Sequence, residues 1–143
     1  MLMRDFFEAF PEMAARETRL LQVSGDSLIP AGDYTLKEYY CEDPRCDCRN
    51  GVINVVGQES GWVASLSYSL EDGSQAKLDP AGPEGEVAQR WLNIVRLQLT
   101  DPAYIERLRR HYRLVKNRHL SWSPPWESNT KLKRKLLRKA GRC

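Results

Sequence analysis

Apolar positions follow a strand-like alternation in the first half of the chain and a helical spacing in the second, with the change near Glu84. The clearest alternation spans residues 62–70. Trp62, Ala64, Leu66, Tyr68 and Leu70 fall on one side, and Ser65, Ser67 and Ser69 on the other. Period two with one polar face predicts a half-buried antiparallel strand. Residues 33–41 repeat the pattern, with Tyr34, Leu36 and, less cleanly, Glu38 and Tyr40 set against Thr35, Lys37 and Tyr39. Residues 52–56 are short and β-branched, and residues 57–61 have the length of a hairpin loop before the next strand. A first strand is expected over 18–23, ended by the turn cluster Ser24-Gly25-Asp26-Ser27, and a short helix over 4–10, after which Pro11 interrupts it or opens another turn.

Beyond the linker Asp79-Pro80-Ala81-Gly82-Pro83, the residues Val87, Trp91, Ile94, Val95 and Leu99 share one helical face. Asp101-Pro102 joins an N-cap residue to a proline at the first helical position. The helix it opens turns Tyr104, Ile105, Leu108, Tyr112 and Val115 inward and leaves Arg107, Arg109, Arg110 and Arg113 to solvent. Strands followed by helices predict an α+β fold: an antiparallel β-meander with a Cys-rich knuckle in one hairpin, packed by C-terminal helices. Residues 1–120 form a single α+β domain in this reading. Residues 121–143 form a Trp/Pro strap, Ser121-Trp122-Ser123-Pro124-Pro125-Trp126, and a basic C-terminal tail.

Composition narrows the class. At 143 residues the chain suits one domain with a proper core, and 41% apolar with 29% charged residues is ordinary for a globular protein. No apolar run approaches the roughly 20 residues that cross a bilayer, and the first residues lack the pattern of a secretory leader. A cytoplasmic protein with no membrane partner is expected. The net charge of +3 conceals an asymmetry, −7 over residues 1–99 and +10 over residues 100–143. A basic C-terminal arm of this kind suits nucleic acid, an acidic protein partner or the chain's own acidic face. Its candidate contacts are Arg109, Arg110, Arg113, Lys131, Lys133, Arg134, Lys135 and Arg138.

The strongest chemical signal lies between two predicted strands, where Cys41, Cys46 and Cys48 stand at C-x4-C-x-C spacing around Pro44. Zn²⁺ favours a tetrahedron of thiolates and imidazoles, and a hairpin knuckle supplies several ligands from a short stretch of chain. Arg45 and Arg49 flank the cluster and would offset thiolate charge. A Cys46–Cys48 bridge would be strained, and a disulfide is disfavoured in a reducing compartment; redox or reactive thiols remain the competing use. Of the two histidines, eight residues apart, His111 lies within the well-formed helix and is the preferred fourth ligand. Asp43, Asp47, a water and Cys143 are the alternatives to it, and a core histidine bonded to a backbone carbonyl is the competing use of the ring. No H-E-x-x-H, G-x-S-x-G or Gly-rich phosphate loop is present, so no catalytic residue is assigned.

The run from Glu38 to Arg49, E-x-Y-C-x-D-P-x-C-D-C-R, resembles a segment of uncharacterised bacterial proteins in which it precedes a β-strand. Some of those relatives also carry a C-terminal SEC-C zinc motif, the small metal module found at the end of the preprotein translocase motor. The resemblance is close over the knuckle and looser over the sheet and residues 104–116. It implies metal binding and supplies no reaction. Where such relatives continue into C-x-C and C-C-H groupings, this chain has the basic run 131–142, so a second zinc site is not carried over. The combined expectation is a zinc-binding module whose metal is mainly structural, acting as a binding or adaptor domain through its basic arm. The alternative is a metal-dependent hydrolase or a thiol/redox enzyme using the Cys cluster.

Overall fold

The computed structural model describes the backbone of residues 3–121 and the side chains of residues 3–118. The three best-marked strands form the expected antiparallel meander: β3 (Gly32–Cys41), β4 (Asn50–Gly57) and β5 (Gly61–Ser69). Two short strands share the free edge of β3. β1 (Met3–Asp5) pairs with its Tyr39–Cys41 end, and β2 (Leu20–Val23) with its Gly32–Thr35 end. β6 (Lys77–Leu78) extends the sheet beyond β5. Helices α1 (Phe6–Ala9) and α2 (Pro11–Glu17) connect β1 to β2, and α3 (Glu86–Gln98) and α4 (Pro102–Ser121) follow the sheet. The fold is α+β, as the change of period predicts.

One face of the sheet is sealed. Tyr34, Leu36, Glu38 and Tyr40 of β3, Ile53 and Val55 of β4, and Ala64, Leu66 and Tyr68 of β5 are all buried. They meet Trp91 and Val95 of α3 and Tyr104, Leu108 and Val115 of α4 in one core. Trp91 lies against Tyr34 with ring centroids 4.6 Å apart. Each large apolar side chain buried here contributes roughly 1.5–3 kcal/mol, so the sheet and the helices depend on each other.

Two sequence expectations are corrected. Residues 4–10 are not one helix: residues 3–5 pair as β1, and Asp5 then caps α1 by accepting a hydrogen bond from Phe7 N at 2.8 Å. Edge pairing to β3 outweighs local helical spacing there. Trp62 was expected on the buried side of its strand, but it is 50% exposed. A β-bulge pairs Val55 with Ala64 and Val56 with Trp62, so the extra residue Val63 reverses the facing of everything before it.

Gly51 marks the tightest approach in the sheet. A Cβ built on it would lie 2.6 Å from the Tyr68 hydroxyl and 2.7 Å from its Cζ. Gly51→Ala is therefore expected to displace the Tyr68 ring and to cost about 1–3 kcal/mol of stability by overpacking. Chemical denaturation of the variant beside the parent measures this, and equal midpoints would contradict the close packing.

Candidate metal centre

Residues 42–49 join β3 to β4 and fold as a tight knuckle. Asp43 organises it: its Oδ1 accepts from Arg45 N at 2.9 Å, and its carbonyl accepts from Cys46 N at 3.1 Å. This turn carries Cys46 back toward Cys41 at the end of β3, and Cys48 lies beside them. The three Sγ atoms are within 4.8 Å of one another, and among the described residues no other group of three His, Cys, Asp or Glu side chains converges so. Cys41 and Cys46 are buried and Cys48 is half-buried. Tetrahedral thiolates about 2.3 Å from zinc stand about 3.8 Å apart, so the sulfurs need close by only about 1 Å. The donor set fits a metal ion.

Cys41 and Cys48 are free thiols, whereas Cys46 is in a disulfide. The expectation that the cluster carries no disulfide is corrected at this residue. The three-thiolate set therefore belongs to the reduced protein, since only a thiolate ligates.

Helix α4 roofs the knuckle. The Tyr112 hydroxyl accepts from Arg49 N at 3.2 Å, and Lys116 Nζ donates to the carbonyls of Asp43, at 2.9 Å, and Cys46. Burial pushes the Tyr112 hydroxyl up to about 12, and the neighbouring Cys48, Asp47 and Cys41 add to the effect. From the other side Arg4 Nε donates to Glu42 at 2.9 Å. The cation that hydrogen-bonds the carbonyls of the cysteine turn is thus Lys116. Arg45 is exposed, and Arg49 pairs with Asp47 at 3.4 Å and Glu71 at 2.7 Å. Lys116 is four residues beyond Tyr112, on the same helical face, which is the sequence signal that could have revealed it.

His111 is placed elsewhere than a fourth-ligand role requires. It is fully buried, with Nδ1 2.6 Å from Glu38 Oε1 and Nε2 3.0 Å from Glu17 Oε1. Both ring nitrogens are engaged by carboxyl groups, leaving no lone pair for a metal, and the ring stacks on Phe6 with centroids 4.0 Å apart. A neutral imidazole carries one N–H, so two such contacts need a second proton, on the ring or on a carboxyl. Glu38 Oε1 also accepts from the Tyr40 hydroxyl at 2.6 Å. Burial raises the Glu17 carboxyl, but hydrogen bonds from His111 and Arg110 outweigh it and hold the group below its ordinary range. Two charged residues on the buried faces of facing elements, Glu38 in β3 and His111 in α4, were the sequence signal for this pairing.

Of the basic candidates among the described residues, Arg109 and Arg113 lie on one face of α4, while Arg110 turns to Glu17. Arg109 Nε donates to the Leu70 carbonyl at 2.8 Å, Arg110 pairs with Glu17, and Arg113 pairs with Glu106 at 3.3 Å. Lys131, Lys133, Arg134, Lys135 and Arg138, with the Trp/Pro strap, lie outside the described residues. No helix among the described residues is long and apolar enough to cross a membrane. No family model matches the chain, and neither a curated protein nor a solved structure matches it.

Removing His111 would strand two carboxyl groups, one fully buried. His111→Ala is expected to lose about 3–5 kcal/mol of stability, measured by denaturant titration. Glu17 adds a pH signature. Its lowered folded value makes it stabilising above the ordinary glutamate value of about 4.3, a contribution lost as the pH falls through the lower folded value. Between about pH 5 and 3 the parent should therefore lose stability more steeply than Glu17→Gln; parallel profiles would contradict the coupling.

Proposed function

We propose that this chain is a zinc-binding module in which Cys41, Cys46 and Cys48 hold the ion in the reduced protein. The observation that carries the reading is the convergence of three sulfurs within 4.8 Å in one knuckle. A zinc ion with three thiolates carries a net single negative charge, and the Lys116 ammonium on the knuckle carbonyls neutralises it. A thiolate-rich shell makes a poor Lewis acid and suits a structural role. Bound metal would tie β3 to the loop beneath α4, so metal affinity adds to folding free energy. On this reading the module binds a partner, nucleic acid or an acidic protein, in the cytoplasm. The charge of +10 over residues 100–143 supports that part.

A second reading, thiol–disulfide chemistry at the cluster, is favoured by the disulfide at Cys46 beside two free thiols. It uses the same sulfurs without metal.

Elemental analysis and native mass spectrometry of protein purified with a thiol reductant separate the two. One zinc per chain is expected, with both zinc content and melting temperature lowered in Cys48→Ser. A metal-free, folded parent would overturn the zinc reading and favour the thiol one. For the arm, affinity for a short oligonucleotide should fall steeply with salt; absent or salt-insensitive binding would leave the acidic protein partner.

A further inference from the structure

A recess of about 310 Å³ opens beside the knuckle, lined by Asp47, Arg49, Leu70, Glu71, Arg109, Tyr112 and Arg113. That is the lower end of the size range of small-molecule sites. Three guanidinium groups face two carboxylates across its lining, and Leu70 and Tyr112 supply apolar surface. We propose that this recess is a binding site for a small organic phosphate, its phosphoryl group held by the arginines and its apolar part against Tyr112 and Leu70. The site is distinct from the three sulfurs and does not require a metal ion.

Arg49 is the first sign of a built site. Its φ of 51° lies in the left-handed region, which costs a residue with a side chain about 1 kcal/mol or more and persists only where the surroundings hold it. They do: its N–H donates to the Tyr112 hydroxyl at 3.2 Å, and its carbonyl accepts from Leu70 N at 2.9 Å. Both anchors are themselves lining residues, so the strained backbone fixes Arg49 at the mouth of the recess.

Arg109 and Arg113 are the second. They are four residues apart on one face of α4, and both reach a single carboxylate, Glu106, at 3.5 and 3.3 Å. Arg109 is also pinned through Nε to the Leu70 carbonyl, which orients its guanidinium while leaving an edge to pair elsewhere. Exposed, long ion pairs of this kind are worth about 0–1 kcal/mol, so a phosphate can displace them at little cost. Arg49 is held more firmly, by Glu71 at 2.7 Å and Asp47 at 3.4 Å. Its charge is taken up by those two carboxylates, which it holds away from the ligand, whereas Arg109 and Arg113 supply the donors that turn to the phosphate. Guanidinium groups suit this task because their paired N–H donors match phosphate oxygens.

The probe is phenyl phosphate, titrated calorimetrically into the full chain, with inorganic phosphate as the comparison. Phenyl phosphate is expected to bind at least several-fold more tightly than inorganic phosphate, because its ring gains the Tyr112 and Leu70 surface. Arg113→Ala is expected to weaken it about tenfold or more. Arg113 is exposed and its side chain pairs with Glu106 at the surface, so its loss should leave the melting temperature and zinc content unchanged. Those two readouts keep the test separate from the zinc reading. No binding, equal affinity for the two phosphates, or an Arg113→Ala affinity equal to the parent's would each overturn the proposal.

Discussion

The rotation of α4 about its own axis is set by one residue. With its imidazole between Glu38 of β3 and Glu17 of α2, His111 can face only inward, and the helix must carry every later side chain at the angle this dictates. Tyr112 and Lys116 then fall over the knuckle, Leu108 and Val115 into the core, and Arg109 and Arg113 along the rim beside Leu70. A helix held by apolar contacts alone could slide or roll at modest cost, because such contacts are non-directional. Two directional hydrogen bonds to carboxyl groups on different sides of the ring allow far less freedom. The cover over the cysteine cluster and the recess beside Leu70 both inherit their geometry from that clamp.

The clamp also explains why a fully buried histidine is not a ligand here. A metal-binding imidazole offers a lone pair on one nitrogen and is oriented by an acceptor on the other. His111 has an acceptor at both, which makes it a bridge between carboxyl groups. The cysteine cluster has its own cation in Lys116, held by the knuckle carbonyls. The clamp and the residues that cover the cysteine cluster, Tyr112 and Lys116, thus sit on one helix, five residues apart at most, while the candidate ligands Cys41, Cys46 and Cys48 come from β3 and the knuckle.

Much of this was legible in the residues. Period-two alternation located β3 and β5, a β-branched run located β4, and the shift to helical spacing located α3 and α4, because each of those elements buries one face against a common core. The cysteine spacing located the knuckle, since all its candidate sulfurs come from a single hairpin. What escaped depends on contacts between distant segments. β1 exists only because β3 offers an edge, and the outward turn of Trp62 follows from a bulge that hydrophobic spacing cannot register. The fourth-ligand reading of His111 failed because helical periodicity reports burial and not the partner met there. Glu38 interrupted the apolar row of β3 and was the visible clue.

The long reach of the clamp bears on how the chain matures during synthesis. The meander β3–β4–β5 closes through neighbouring segments, whereas His111 meets Glu38 across 73 residues and Glu17 across 94. Until α4 has left the ribosome, the carboxyl of Glu38 and the knuckle carbonyls that accept from Lys116 have no permanent cover. The face of the sheet that α4 covers can therefore become dry only once that helix is in place.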